Sequence, residues 1–157
     1  MNAPKLKPAS VRVQKTKATP PNTTRLSSLA RSAFAAFVKR SAQSAQVEHE
    51  GELVVVIGKR GRNITAENAK KHILGYTIGN DVTARDLQRI DDQWTRAKGF
   101  DTFCIFGPWI DTDFDPADAV LTVRVNGQMR QMASTRDMVF NVPTLIAYGS
   151  SVMTLEP

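Results

Sequence analysis

The dipeptide Asn126-Gly127 constrains the fold of this chain more than any other short feature of its sequence. It separates two segments of strand-forming residues, "VLTVRV" and "QMRQMA". An Asn-Gly pair between two such segments is the strongest short-range signal for a β-hairpin. The sequence therefore predicts an antiparallel β-ribbon over residues 120–133.

Other segments predict strands and short helices around this hairpin. "ELVVVIG" and "HILGYTIGND" are apolar segments that end in turn residues, as strands do. Short helices are predicted at three places: from Thr65, as the cap, to about Lys71; from Thr83, where "TARD" has a spacing close to a capping box; and over residues 142–153, with Pro143 in the first turn. The predicted fold class is α+β and dominated by strands.

The size and composition of the chain fit one ordinary domain. Its 157 residues are enough for a hydrophobic core. The longest apolar stretches, residues 33–38 and 53–57, are too short to cross a bilayer, and the N-terminus lacks the apolar segment of a secretory signal. The single cysteine, Cys104, forms no internal disulfide, which is compatible with a reducing compartment. We therefore expect a cytoplasmic protein.

The net charge of +6 is unevenly distributed along the chain. Residues 1–45 carry nine Lys or Arg and no acidic residue, whereas residues 46–157 have a net charge of −3. No aromatic platform or recognised nucleic-acid motif accompanies the basic segment, so a solvated extension is favoured over a surface-binding module. We expect no nucleic-acid partner and no membrane partner.

Residues 26–40 of this extension have the pattern of an amphipathic helix. The apolar face consists of Leu26, Leu29, Phe34, Phe37 and Val38. The pattern predicts a helix, and a transit peptide, a docking helix and an extension without a role all remain open. Residues 1–45 are thus predicted to be a disordered or partly helical extension of a domain that spans residues 46–157.

Three glutamates alternate where the first predicted strand begins. Side chains in a strand alternate between its faces, so Glu50 and Glu52 point the same way, about 6–7 Å apart, with Glu48 outermost. Close carboxylates repel one another unless a cation or hydrogen-bond donors compensate, and oxygen ligands suit a hard ion such as Mg²⁺ or Mn²⁺. The alternative is a solvated strand end.

A further acid and three polar groups follow in the chain. Asp81 ends the next predicted strand, and Arg85 and Gln88 lie three residues apart on the helix after it, which would place a cation and an amide beside that acid. Lys98 would add a second positive group. Each residue separately fits a turn or a solvated surface, but together they describe a metal site for an anionic, oxygen-rich substrate.

Five segments carry a resemblance to a known family. They are "VEHEGELVVVIGKRGRNI", "GYTIGNDVTARDLQ", "QWTRAKGFDTFCIFGPWI", "VNGQMRQMASTRDMVFNVPTLIAY" and "VMTLEP". Over residues 46–157 the chain resembles the fumarylacetoacetate hydrolase family, in the bacterial branch of acylpyruvases and 2-hydroxyhepta-2,4-diene-1,7-dioate isomerases. The resemblance implies the mixed β fold with short helices of that family's C-terminal domain.

The resemblance also implies roles for individual residues. Glu50, Glu52 and Asp81 match the family's metal ligands, for Mg²⁺ or Mn²⁺ and in some members Ca²⁺. Arg85 and Gln88 match its substrate-binding positions, and Lys98 matches a residue that stabilises the enolate. Family members hydrolyse, isomerise or decarboxylate acylpyruvates and other 2-oxo acids, and they are commonly homodimers.

Two departures from the family pattern concern catalysis. The family's hydrolases activate water with a His and a Glu upstream of the E-x-E strand, but the histidines here are His49 and His72, and no acid precedes Glu48. His49 alternates to the opposite strand face, and His72 is predicted to end the short helix. The family's chain also continues beyond "LEP", so we expect an incomplete domain with exposed sheet edges.

Three functions from different classes therefore remain open. The first is a metal-dependent enzyme that hydrolyses, decarboxylates or isomerises a small 2-oxo acid. The second is a metal-binding chain without activity, which lacks the water-activating pair. The third is a basic surface-binding module attached to an inactive scaffold.

Overall fold

The computed structural model describes residues 9–15, 33–36, 38 and 41–157. The strands in this part of the chain are Ala9–Lys15 (β1), Ala33–Ala36 (β2), Val47–Glu48 (β3), Gly51–Ile57 (β4), Ile73–Asn80 (β5), Thr83–Ala84 (β6), Ile105–Asp111 (β7), Ala119–Val125 (β8) and Gln128–Ser134 (β9). The α-helices are Arg85–Ile90 (α1), Thr95–Lys98 (α2) and Val142–Val152 (α3), and the 3₁₀ helices are Ala66–His72, Pro116–Asp118 and Thr135–Asp137.

Antiparallel pairing joins these strands into two sheets and a short ladder. One sheet has the order β2-β1-β8-β9, the other has the order β4-β5-β7, and β3 pairs with β6. The helices are short, and the longest of them, α3, has 11 residues. The predicted α+β fold dominated by strands is confirmed.

The hairpin predicted at Asn126-Gly127 is present between β8 and β9. Asn126 has a φ of 53° and Gly127 a φ of 80°. Two consecutive left-handed residues are typical of the type I′ turn, whose twist matches that of the strands on either side. The turn pairs Val125 with Gln128, and a register shift between Val123 and Arg124 then pairs Val123 with Gln131.

The hydrophobic core lies between the two sheets and beneath the helices. The cluster between the sheets consists of Ile78, Phe114, Ala119, Leu121 and Val123. A second cluster lies under α1 and α2, and a third lies under α3. Strand β5 is the middle strand of its sheet, and its last four residues are buried, so its C-terminal end is held firmly where Asp81 follows.

Two of the predicted short helices are confirmed. The 3₁₀ helix Ala66–His72 begins directly after Thr65, although the Thr65 hydroxyl accepts a hydrogen bond from Asn68 Nδ2 instead of capping the backbone. Helix α3 begins after Asn141, whose side chain accepts from the amide of Thr144, and Pro143 lies in its first turn. Proline suits that position because its missing N–H has no intrahelical partner there.

The helix predicted over residues 26–40 is wrong for residues 33–36. These residues form β2, an edge strand paired with β1, and residues 26–32, 37, 39 and 40 lie outside the described residues. An isolated helix of this length is marginal, whereas the open edge of β1 supplies backbone partners. Strand β1 itself pairs with β8 along its length, so this part of the basic segment belongs to the sheet. The domain boundary at residue 45 stays a prediction.

The capping role predicted for Thr83 is also wrong. Thr83 lies in β6, its hydroxyl donates to the carbonyl of Asp81 at 3.0 Å, and α1 begins only at Arg85. Asp86, the acid of the predicted capping box, accepts hydrogen bonds from Ser44 Oγ at 2.6 Å and from the amide of Ala45 at 2.8 Å. These hydrogen bonds lower the pKa of Asp86 from 3.8 to about 2, and the one from Ser44 has the largest effect. Tertiary contacts therefore replace the local cap.

The described surface carries several large apolar side chains. Phe106, Trp109 and Ile110 of the edge strand β7 are exposed, and so are Met132 of β9 and Tyr148 of α3. This agrees with the expectation of incompletely covered sheet edges. Within the described residues, no helix combines the length and the apolar character that a bilayer crossing requires.

Truncating Ile78 is expected to destabilise the domain strongly. Ile78 is 1% exposed and belongs to the cluster between the sheets, so Ile78→Ala should lower the free energy of unfolding by about 2–5 kcal/mol. The control is Leu74→Ala on the same strand, where the side chain is 49% exposed and the loss should stay below about 1 kcal/mol. Urea denaturation measures both, and equal losses would contradict the assigned core.

Candidate metal centre

The antiparallel pairing of β4 and β5 brings Glu50, Glu52 and Asp81 together. Gly51 at the start of β4 pairs with Asn80 at the end of β5, and the amide of Asp81 donates to the carbonyl of Glu50 at 2.9 Å. One carboxylate oxygen from each acid lies within 4.8 Å of the other two. The three acids that the sequence analysis selects as metal ligands therefore converge.

Gly51 separates the two glutamates and faces the other sheet. A Cβ at this position would lie 2.3 Å from Val123 Cγ2 and 3.1 Å from Leu121 Cδ2, which is closer than real Cβ contacts. Only glycine allows β8 to pack this tightly on the strand. Glu50 and Glu52 lie on the opposite side, as strand alternation requires.

Two cationic side chains contact the acids. Lys98 Nζ lies 2.9 Å from Glu50 Oε2 and 2.6 Å from Asp81 Oδ2. Arg85 donates from Nη2 to Glu50 Oε1 at 2.6 Å and from Nε to Glu48 Oε2 at 2.9 Å. Both carboxylate oxygens of Glu50 are therefore ion-paired.

The two remaining predicted positions lie at the edge of the cluster. Within the described part of the chain, Gln88 is linked to the acids through Arg85, whose Nη1 donates to Gln88 Oε1 at 2.6 Å. Glu48 is paired with Arg85 and does not belong to the group of converging acids. The hydrogen bond from Arg85, followed by that from Gln46, lowers the pKa of Glu48.

The two glutamates of the E-x-E pair have pKa values shifted in opposite directions. Burial alone would raise the pKa of Glu50, but the hydrogen bonds from Lys98 and Arg85 outweigh it and hold this pKa below 4.5. Partial burial, followed by the negative charges of Asp81 and Glu50, raises the pKa of Glu52 above 4.5. In the described part of the chain, the Glu52 carboxylate forms no hydrogen bond or ion pair, which leaves it available to a further cation.

Lys98 stays charged in this environment. Burial would lower the pKa of its ammonium group, but the hydrogen bonds to Asp81 and Glu50 outweigh burial and raise the pKa above 10.5. The hydrogen bond to Glu50 raises the pKa of Arg85 more than any other interaction does. Both groups are therefore fixed positive charges at neutral pH.

The geometry and the ligand types fit a hard divalent ion. Ligand atoms on one such ion, at ~2.0–2.6 Å from it, lie at most roughly 4–5 Å apart, which agrees with the 4.8 Å limit found for the acids. All three donors are carboxylate oxygens, and the described cluster contains no thiolate or imidazole. Such a donor set suits Mg²⁺ and Mn²⁺ better than softer metals.

Neither histidine belongs to the cluster. His72 ends the 3₁₀ helix Ala66–His72, as predicted, and its Nδ1 lies 3.0 Å from the carbonyl of Lys59. His49 lies between Glu48 and Glu50 in the chain, but it is not one of the converging groups. Its Nδ1 is buried without a hydrogen-bond partner among the described residues.

Two amide side chains that the sequence analysis does not select contact the backbone of the E-x-E segment. Asn80 Oδ1 accepts from the amide of Glu50 at 3.0 Å. Gln131 contacts both the amide and the carbonyl of Gly51. Asn80 could have been found as the neighbour of Asp81 at the strand end, whereas Gln131 lies 80 residues away and carries no local signal.

Comparisons with known proteins identify the relatives of this chain. A family profile described as "Fumarylacetoacetate (FAA) hydrolase C-terminal" matches residues 7–157. The match is longer than the resemblance seen in residues 46–157, and it includes β1. The 5-carboxymethyl-2-hydroxymuconate delta-isomerase of Mycobacterium smegmatis superimposes with a TM-score of 0.75 at 42% identity, over 94% of this chain and 61% of that one.

Two further relatives are named for the reactions that they catalyse. Oxaloacetate tautomerase YisK of Bacillus subtilis is 46% identical over 116 residues, which are 72% of this chain and 38% of that protein. Maleylpyruvate hydrolase of Sphingobium, solved with manganese(II) and pyruvate, has a TM-score of 0.64 at 40% identity, over 71% of this chain and 40% of that one. The chain spans about half the length of the first curated relatives that it matches.

Glutamine replacements in the E-x-E pair are expected to change stability in opposite directions. At pH 7 in EDTA, Glu50→Gln should lower the free energy of unfolding by about 1 kcal/mol, because it removes the pairs with Lys98 and Arg85. Glu52→Gln removes repulsion without losing a partner. It should raise stability by about 0.5 kcal/mol or less, because the Glu52 side chain is only partly buried and solvent screens the repulsion.

Urea denaturation between pH 7 and pH 3 tests both signs. The pKa of Glu50 is lowered, so its ion pairs stabilise the folded state above pH 4.5. This stabilisation is lost as the pH falls through the folded-state pKa of Glu50. The pKa of Glu52 is raised, so the folded state holds this proton more tightly than the unfolded state does. The resulting stabilisation is complete below pH 4.5 and is lost as the pH rises through the folded-state pKa. Both differences should therefore vanish in acid, and a Glu52→Gln variant that is less stable than wild type at pH 7 would contradict the assignment.

Proposed function

Because this chain belongs to the fumarylacetoacetate hydrolase family, we propose that it is a metal-dependent enzyme acting on acylpyruvate-type or other 2-oxo acids. The observation that carries the proposal is the convergence of Glu50, Glu52 and Asp81 beside Lys98. The reaction favoured by the site is keto–enol isomerisation or decarboxylation, with C–C hydrolysis as the third possibility for this family. The name of the tautomerase relative supports the first of these.

The charges of the site support a divalent ion. Four carboxylates and two cationic groups form the site: Glu48, Glu50, Glu52, Asp81, Arg85 and Lys98. Their net charge of about −2 at neutral pH is the charge that one divalent ion compensates. Glu50, Glu52 and Asp81 would hold Mg²⁺ or Mn²⁺, with Ca²⁺ as a further candidate, and the manganese in the maleylpyruvate hydrolase structure supports this choice. When bound, such an ion polarises the 2-oxo carbonyl as a Lewis acid.

Lys98 is proposed as the catalytic residue. Decarboxylation releases CO₂, and isomerisation releases a proton to solvent from the carbon next to the carbonyl. Both reactions therefore leave negative charge on the enolate oxygen, and a fixed ammonium group close to that oxygen stabilises it. The raised pKa of Lys98 keeps it protonated at neutral pH, so it acts as a charge and a proton donor and not as a base.

Arg85 and Gln88 are proposed to bind the substrate carboxylate. Gln88 uses its amide oxygen to accept from Arg85, and its NH₂ group has no hydrogen bond among the described residues. The guanidinium and this NH₂ group together suit a planar carboxylate. Arg85 also links Glu48 to Glu50, so the substrate-binding residues and the metal-binding residues form one network.

The positions of the histidines favour isomerisation or decarboxylation over hydrolysis. Hydrolysis requires a base that activates water, and neither His49 nor His72 belongs to the described cluster. The same observation favours the second candidate, a chain that binds metal but does not turn over substrate. Turnover of oxaloacetate or acylpyruvate that EDTA abolishes would separate the two.

The partners follow from this proposal. The substrate is a small 2-oxo acid, and we propose a homodimer on the basis of the family resemblance. The cytoplasmic location and the lack of nucleic-acid and membrane partners stay predictions.

Removing Asp81 is expected to weaken metal binding. Asp81→Ala takes away one of three carboxylate ligands, so the Kd for Mn²⁺ should rise at least roughly tenfold. The control is His72→Ala, which removes a side chain that, among the described residues, bonds only to the Lys59 carbonyl, and it should leave the Kd unchanged. Isothermal titration calorimetry measures both, and equal effects would count against the assignment.

Removing the ammonium group of Lys98 is expected to lower turnover and to spare metal binding. For Lys98→Met, kcat for oxaloacetate tautomerisation in Mn²⁺ should fall by about 10²–10³. Lys71→Met is the matched control, because Lys71 is exposed and bonds only to Asn68 among the described residues. The ultraviolet absorbance of the enol follows the reaction, and a Lys98→Met enzyme with wild-type kcat would refute the catalytic role.

A further inference from the structure

We propose that Gln131 is a positioning residue for the metal site, acting through the backbone of Gly51; this inference rests on the proposed function. Gln131 lies on β9, in a different sheet from the acids. Its Nε2 donates to the carbonyl of Gly51 at 2.8 Å, and its Oε1 accepts from the amide of Gly51 at 2.9 Å. One side-chain amide thus satisfies both backbone groups of the residue between the two glutamates.

These backbone groups have no partner from the neighbouring strand. The carbonyl of Glu50 accepts from Asp81, so it faces β5, and the groups of Gly51 face the opposite, outer edge of β4 because adjacent residues alternate. An outer edge exposes backbone donors and acceptors that otherwise bind water. Gln131 replaces that water with a fixed pair of hydrogen bonds.

The hairpin register places Gln131 at this edge. Gln131 is the cross-strand partner of Val123, the residue whose Cγ2 would lie 2.3 Å from a Cβ on Gly51. Packing by Val123 and hydrogen bonding by Gln131 therefore act on the same glycine. The neighbouring β9 residues Arg130 and Met132 are exposed, whereas Gln131 is half-buried.

The consequence is a backbone held on both sides at the metal-binding segment. On one side, Asn80 Oδ1 and the amide of Asp81 bond to Glu50, and on the other side Gln131 bonds to Gly51. Holding Glu50 and Gly51 determines how far the Glu50 and Glu52 carboxylates lie from Asp81. Residues that orient metal ligands without touching the metal commonly change its affinity by 10–100-fold.

Mn²⁺ titration of three variants, well below their melting temperatures, tests this role. Gln131→Met keeps the length of the side chain and removes both hydrogen bonds, so the Kd for Mn²⁺ should rise about tenfold. Gln131→Glu keeps an acceptor for the Gly51 amide and loses the donor, so its Kd should fall between those of wild type and Gln131→Met. Gln128→Met is the control on the same strand, where the exposed side chain bonds only to Arg130 among the described residues.

Melting temperatures in EDTA separate positioning from stability. If Gln131→Met and Gln131→Glu both melt lower but bind Mn²⁺ with the wild-type Kd, Gln131 has a structural role only and the inference is overturned. If Gln128→Met weakens Mn²⁺ as much as Gln131→Met does, the effect is not specific and the inference also fails. If wild type itself binds no Mn²⁺, the proposed metal function fails, and the positioning role fails with it.

Discussion

The site depends on one backbone arrangement, the antiparallel pairing between the start of β4 and the end of β5. The hydrogen bond from the Asp81 amide to the Glu50 carbonyl ties two segments that lie about 30 residues apart in the sequence. Because the strands run in opposite directions, the first residues of β4 necessarily meet the last residues of β5. Burial of the last four residues of β5 holds this meeting point in the core.

Bringing like charges together is unfavourable, and the structure compensates for this only in part. Lys98 and Arg85 form ion pairs with Glu50 and its neighbours Glu48 and Asp81, whereas Glu52 stays unpaired within the described residues. Partial burial, followed by the negative charges of Asp81 and Glu50, raises the pKa of Glu52. The unpaired carboxylate lowers the stability of the folded domain, and it makes the arrangement suitable for a cation.

Both sheets contribute to the site, although its charged residues come from β3, the start of β4 and the residue before it, the residue after β5, α1 and α2. The hairpin β8–β9 carries no charged group of the cluster, yet Val123 and Gln131 both contact Gly51. Glycine between the two glutamates is therefore a packing requirement of the neighbouring sheet. The turn at Asn126-Gly127 and the register shift between Val123 and Arg124 together fix which hairpin residues lie over that glycine.

Local patterns in the sequence determined the elements whose signals are short-range. The Asn126-Gly127 turn, the strands around "ELVVVIG" and "HILGYTIGND", and the helix with Pro143 in its first turn follow from backbone preferences and periodicity, which act over a few residues. Alternation placed Glu50 and Glu52 on one face. The family resemblance, and not spacing alone, selected Asp81, Arg85, Gln88 and Lys98 as their companions.

Tertiary structure alone decided the features that depend on distant partners. Residues 33–36 form a strand despite their helical pattern, since the edge of β1 offers backbone hydrogen bonds. Thr83 does not cap α1, because it lies in β6 and pairs with Glu48, while Asp86 binds Ser44 and Ala45. Gln131 reaches Gly51 across 80 residues of chain. A sequence pattern records the preferences of neighbouring residues, whereas these contacts follow from how the sheets pack, and that information is not local to any segment.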